Sequence, residues 1–188
     1  MSTRPLISSV SPPVPSEMNP GVALVCWKAW WEAHPETLVL SVDGVEHPEL
    51  NPYEDYFGSP DAFGGRQAAD DRLPTKEPVY AFRRGGRAYA IPYAGFAGGG
   101  AFSAGGEHLF LYRPEGAAIF TSTVAFVSPQ GFAREGGVWR HASGAVFDPE
   151  KGGFAGGDVP RLDGFDTFWF NWSMTHPETE VLRRQEPG

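Results

Sequence analysis

The chain has 188 residues, 41% of them hydrophobic and 14% aromatic, which suits one compact domain with an arm. Its net charge of −8 argues against a nucleic acid partner, and no apolar run is long enough to cross a bilayer as a helix. A single cysteine, Cys26, excludes an intramolecular disulfide and any Cys-x-x-Cys site, and no apolar leader-like stretch precedes Pro12, so the expected compartment is cytoplasmic.

Residues 1–22 are rich in Pro and Ser, lack periodicity and read as a flexible arm. Residues 23–42 read as a short helix followed by a strand. Residues 43–78 are acidic and rich in Pro and Gly; they read as an irregular linker, laid on the domain by Tyr53, Tyr56 and Phe57. Residues 1–75 hold 11 of the 23 acidic side chains against 4 of the 15 basic ones, which reads as a solvated, solubilising surface.

The pattern becomes β from Val79. Residues 79–84 and 87–91 flank Gly85-Gly86 as a hairpin. Residues 94–106 are Gly-rich and read as loop. Strands are expected over 108–112 and 117–127, then over 132–134, 138–141 and 145–148, with 149–164 as loop. A Trp-rich helix over about 166–175 closes the domain, with Asp166 and Thr167 as N-cap candidates. The expected class is mainly β (α+β), a short-stranded antiparallel barrel or sandwich with one or two short Trp-rich helices, and residues 79–188 form the β-rich domain.

One stretch occurs twice. Trp27-Lys28-Ala29-Trp30-Trp31-Glu32-Ala33-His34-Pro35-Glu36-Thr37-Leu38-Val39-Leu40 and Trp169-Phe170-Asn171-Trp172-Ser173-Met174-Thr175-His176-Pro177-Glu178-Thr179-Glu180-Val181-Leu182 share W-x-x-W-x-x-x-H-P-E-T-x-V-L without a gap. The tryptophans fall on one helix face, the proline ends the helix, and the Thr-x-Val-Leu reads as a strand. The offset of 142 residues exceeds any solenoid period and indicates a duplicated domain, so residues 23–42 read as the tail of a preceding repeat. The aromatic face is expected to be core rather than a carbohydrate or peptide platform.

Several stretches carry a further likeness. Arg72-Leu73-Pro74-Thr75-Lys76-Glu77-Pro78-Val79, Gly86-Arg87-Ala88-Tyr89-Ala90-Ile91-Pro92, Gly105-Gly106-Glu107-His108-Leu109-Phe110-Leu111-Tyr112, Gly137-Val138-Trp139 with Gly144-Ala145, and Asn51-Pro52-Tyr53-Glu54-Asp55-Tyr56 join the tryptophan stretch in a conserved-looking order. In this the chain resembles the bacterial and archaeal proteins of domain-of-unknown-function family 3179, specifically the family's second repeat plus the tail of the first. The resemblance implies longer members with two repeats, the first carrying a Y-C-P-L-C-G motif suited to metal or thiol redox chemistry. Here the matching point is Tyr112-Arg113-Pro114-Glu115-Gly116, with Arg113 in place of the first cysteine and no second one nearby.

Residue by residue, chemistry is sparse. Cys26 reads as a small buried hydrophobe. The histidines 34, 47, 108, 141 and 176 include no zinc spacing, so the metal is unknown and no cofactor is evident. His34 and His176 are expected to serve helix ends. His108 and His141, on neighbouring expected strands, are the better pair for a shared pocket, with Arg113 and Trp139 beside them as binding candidates; Glu107 alternates to the opposite strand face. Serines 103, 122, 128, 143 and 173 lack a nucleophile elbow, and a Ser122/His141/Asp148 set has no supporting spacing. Gly98-Gly99-Gly100 is no phosphate loop. The reading that follows is a non-catalytic binding or scaffolding module with no catalytic residue. Its partner is a second copy in a homo-dimer or a separate chain carrying the first repeat, and its structural repeat residues are Trp27, Trp30, His34, Trp169, Trp172 and His176. The alternative is an enzyme or metal-binding protein with a site at a β-barrel mouth around His108, Arg113 and His141.

Overall fold

A computed structural model of the chain describes residues 27–38, 56, 58–119 and 121–184. Cys26, His47, Tyr53, Phe57 and the second half of the strand expected after His34, Val39 and Leu40, lie outside these residues; Thr37 and Leu38 are described and form no strand. The first element is a helix, α1 (Trp27–Ala33). After a short 3-10 turn at Phe63–Gly65 come β1 (Pro78–Arg84) and β2 (Arg87–Pro92), then β3 (Gly100–Ala104), β4 (Glu107–Tyr112) and β5 (Val124–Ser128). Four short strands follow: β6 (Phe132–Glu135), β7 (Val138–His141), β8 (Val146–Asp148) and β9 (Gly153–Ala155). The chain closes with β10 (Phe165–Phe168), helix α2 (Trp169–Thr175) and β11 (Glu180–Val181).

These strands make three sheets, ordered β10-β1-β2-β11, β3-β4-β5 and β6-β7-β8-β9. All pairings are antiparallel except β11 on β2. The fold is mainly β and sandwich-like; the described strands close no barrel. The expected 79–91 hairpin forms as read. Its Gly85 and Gly86 take φ of 54° and 76°, the left-handed pair that a two-residue hairpin turn requires.

Alternation explains the layering. On β1, Tyr80 and Phe82 face one way and join Tyr89, Ile91, Leu109, Leu111 and Val127 in a core between the first and second sheets. Val79 and Ala81 face the other way, with Ala88 and Ala90, and lie under Trp169 and Trp172 of α2. On the second sheet, Phe110 and Phe126 point outward and meet Trp139, Phe147 and Val159 of the third-sheet region. The order is therefore α2, first sheet, second sheet, third sheet. Strands β1, β2, β4 and β5 read as continuous buried runs because both of their faces are covered.

Helix α2 flanks the first sheet, and the small side chains of Ala81, Ala88 and Ala90 let the indoles lie close. Asp166 and Thr167 are not its cap: they belong to β10, and the N-cap residue is Phe168, with no side-chain cap bond. The first helical amides are satisfied instead by backbone from the segment before β1. Trp169 N–H donates to the Glu77 carbonyl at 2.8 Å and Phe170 N–H to Thr75 at 2.9 Å. Arg72 ties the same segment to the helix end, donating to the Pro177 carbonyl at 2.8 Å and to the Thr179 carbonyl.

Three further expectations are corrected. The Gly-rich 94–106 segment contains strand β3, and 149–164 contains β9. The strand expected over 117–127 begins only at Val124. Gly99 and Gly100 have specific steric reasons. A Cβ at Gly99, whose φ is 104°, would lie 2.2 Å from Trp139 Nε1, and one at Gly100 would lie 2.7 Å from the Gly95 carbonyl oxygen. Gly99→Ala is accordingly expected to lower stability by about 2 kcal/mol or more through strain and displacement of Trp139. Urea denaturation followed by tryptophan fluorescence checks this.

Candidate functional site

The expected site residues scatter over two sheets. His108 lies on β4 and His141 on β7, which belong to different sheets. Ser128 links them. It sits opposite His108 across the β4–β5 ladder, on the same face, and its Oγ lies 2.8 Å from His141 Nε2. His108 is exposed, whereas Ser128 and His141 are buried.

His141 is held from both sides. Its Nδ1 lies 2.8 Å from Ser143 Oγ and accepts the Ser143 backbone N–H at 3.3 Å. A backbone N–H can only donate, so the neutral ring carries its proton on Nε2 and donates it to Ser128 Oγ. That oxygen also accepts the Gln130 N–H at 3.0 Å. The chain Ser128–His141–Ser143 thus fastens the end of β5 to the β7–β8 turn. In this tautomer Nε2 is no base for Ser128, and of the two hydroxyls only that of Ser143 can donate to the ring. Beside it a recess of about 350 Å³ is lined by Gly131, Phe132, Arg140, His141 and Gly144 among others. Neither Ser128 nor Ser143 was legible as a partner of His141. The one signal was parity: Ser128 is polar at the position that continues Val124 and Phe126 on one strand face. Asp148 does not join the set, since it accepts the amides of Glu150 and Lys151.

Arg113 is consumed inside the fold. It is buried, its Nη2 donates to the Ala118 carbonyl at 2.8 Å, and Nη1 donates to the Thr121 carbonyl. Nη1 also stands 3.8 Å from Asp166 Oδ1. The Tyr93 ring lies over the guanidinium at 3.9 Å. Asp166 accepts the Thr123 N–H at 2.9 Å and its hydroxyl at 2.5 Å. Burial first, then the Asp166 carboxylate, raise the Tyr93 hydroxyl above its ordinary range. Trp139 is equally structural: it is buried 5.0 Å from the Phe110 ring, and its Nε1 donates to the Gly98 carbonyl at 3.1 Å.

Glu107 faces away from His108, as alternation requires, and accepts Arg84 Nε at 2.5 Å and Nη2 at 2.8 Å. The Arg84 hydrogen bond holds Glu107 below the usual glutamate range. A depressed carboxylate contributes stability above its unfolded pKa and loses it as pH falls through the folded value. Both side chains are part-exposed, so Glu107→Gln is expected to cost under about 1 kcal/mol at pH 7. The difference should shrink as pH falls through the lowered folded value and the wild-type carboxyl is also protonated; paired denaturation curves at neutral and acidic pH check it.

The two tryptophan stretches share their local geometry. Trp30 and His34 ring centroids are 4.2 Å apart, as are those of Trp172 and His176. His34 N–H donates to the Trp30 carbonyl at 2.8 Å and His176 N–H to Trp172 at 2.9 Å; in each unit the threonine N–H returns to the histidine carbonyl at 3.0 Å. Their environments differ. Trp169 and Trp172 are 0% and 5% exposed, while Trp27, Trp30 and Trp31 are 53%, 41% and 45% exposed. The expectation that this aromatic face is core thus holds for α2 and not for α1. Each imidazole packs at a tilt against its tryptophan, with interplanar angles of 37° and 52°, and its Nδ1 lies 4.0 Å from Glu36 and 3.8 Å from Glu178.

Among the described residues, no three His, Cys, Asp or Glu side chains converge as a metal site, and no helix is long and apolar enough to cross a membrane. Against known proteins, residues 17–179 match the family model described as a protein of unknown function, DUF3179. No curated protein and no solved structure matches.

Proposed function

We propose that this chain, which belongs to the DUF3179 family of proteins of unknown function, is a non-catalytic binding or scaffolding module that engages its partner through α1. The observation that carries this is the contrast between polar and aromatic groups. Arg113, His141 and Glu107 are each engaged by internal partners, whereas three tryptophans on seven residues of helix stand open to solvent. Exposed indoles in a cluster are the residue type that most often anchors a protein interface.

The test is native mass spectrometry of the full chain purified from its source organism, beside the Trp27→Ala/Trp30→Ala/Trp31→Ala variant. The expected result is a polypeptide partner or second copy at fixed stoichiometry that the variant loses. A metal ion or small molecule bound one to one, with no polypeptide, would overturn the reading. It would favour the rival, an enzyme or metal-binding protein around His108, Arg113 and His141, for which the recess beside His141 is the supporting observation. Under that rival, His141→Ala would abolish ligand binding; under the module reading it leaves partner binding intact.

A further inference from the structure

We infer that α1 is the covering element of a β-sheet on a second polypeptide, a sheet whose outer face carries small aliphatic side chains as this chain's first sheet does. This rests on the module reading above and names the surface that α1 recognises.

The internal repeat supplies the argument, because the second copy of the stretch shows what such a stretch covers. Trp169 and Trp172 lie on Val79, Ala81, Ala88 and Ala90, and the strand that follows, β11, adds in parallel to β2. Trp27 and Trp30 occupy the same two positions of the same motif. The α1 unit shares with the α2 unit its indole–imidazole contact at 4.2 Å and its threonine-to-histidine backbone return. A surface held in its bound shape loses little freedom on docking. Among the described residues no sheet covers the α1 tryptophans, which stay exposed.

The first sheet described above does not fit as that sheet, in the same molecule or in another copy. Trp31 takes the position of Ser173, which is fully buried and whose Oγ accepts the Ala69 N–H at 3.1 Å. An indole there overpacks the seat and removes that acceptor. Lys28 takes the position of Phe170, which is also buried, and an ammonium there would be desolvated without a partner. In α1 the same Lys28 is exposed and lies 3.9 Å from Glu32. The cognate seat therefore has a hollow for Trp31 and opens to water at Lys28, which a second copy does not offer.

The experiment places the photo-crosslinker p-benzoylphenylalanine at Lys28 of the full chain, expressed in the source organism, and sequences the crosslinked peptides after irradiation. The expected adduct maps to a strand of a different polypeptide in which small aliphatic residues alternate, and falls at least tenfold when Trp27→Ala and Trp30→Ala are added. Adducts on another copy of this chain, or on a helical or loop surface, overturn the inference; if they still depend on the tryptophans, the module reading stands without it. No tryptophan-dependent adduct on any polypeptide overturns both.

Discussion

Trp172→Ala is expected to cost about 3–5 kcal/mol of folding stability, while Trp30→Ala, the same residue of the same motif, is expected to cost no more than about 1 kcal/mol. The first side chain is buried between α2 and the first sheet, against Ala and Val positions too short to collapse into the space it would leave. The second loses a tilted ring contact with His34 and the bond from its Nε1 to Thr37 Oγ1 at 2.9 Å. Urea denaturation reads both, as a shift in midpoint at constant slope. Equal midpoints for the two variants would mean that α2 does not cover the sheet. Trp172→Phe refines the test. In the α2 unit the threonine hydroxyl donates to the His176 carbonyl at 2.6 Å instead, and Trp172 Nε1 is buried with no hydrogen-bond partner among the described residues. A buried unmatched donor costs about 1–3 kcal/mol. Phenylalanine removes that donor while keeping most of the contact area, so it should recover most of the loss seen with alanine.

Much of this architecture was legible where sequence and local geometry agree. The β1–β2 hairpin has its turn glycines, its alternation and its length in one unbroken stretch. The short strands β6 to β8 are each bounded by Gly-containing turns. Strands β3 and β9 were hidden because glycine begins each of them, and glycine in a strand looks like loop until the crowding around Gly100 is known. The segment before Val124 was over-read as strand; its Ala118 and Thr121 carbonyls are turned toward Arg113 rather than toward a neighbouring strand. A sandwich was among the expected architectures, but the number and order of its sheets were not legible. A run such as Val79-Tyr80-Ala81-Phe82 announces burial on both faces but not which layer lies on which. The layering also decides where the candidate site residues lie: His108 and His141 read as lying on neighbouring strands, and β4 and β7 belong to different sheets. The residues His141 does meet, Ser128 and Ser143, carry no sequence spacing that marks them as its partners.

Arg113→Leu is expected to destabilise the fold by about 3–5 kcal/mol, because it strands a buried carboxylate. Arg113 and Asp166 come from the end of β4 and from β10, and both side chains are almost fully buried. Their separation of 3.8 Å is long for a direct bond, so each relies on other groups for its remaining hydrogen bonds. The guanidinium uses the Ala118 and Thr121 carbonyls and the Tyr93 face; the carboxylate uses Thr123. Leucine fills part of the volume but leaves the two carbonyls without their donor and Asp166 without its cation. Arg113→Lys keeps the charge but cannot span both carbonyls with a planar fork, and should fall between leucine and wild type. The double variant Arg113→Leu/Asp166→Asn removes the stranded charge and should be more stable than Arg113→Leu alone. Additive losses in that cycle would show that the two groups do not interact across 3.8 Å. The same result bears on function. A large loss would mean that the Arg113 guanidinium serves the fold, in keeping with its hydrogen bonds to the Ala118 and Thr121 carbonyls.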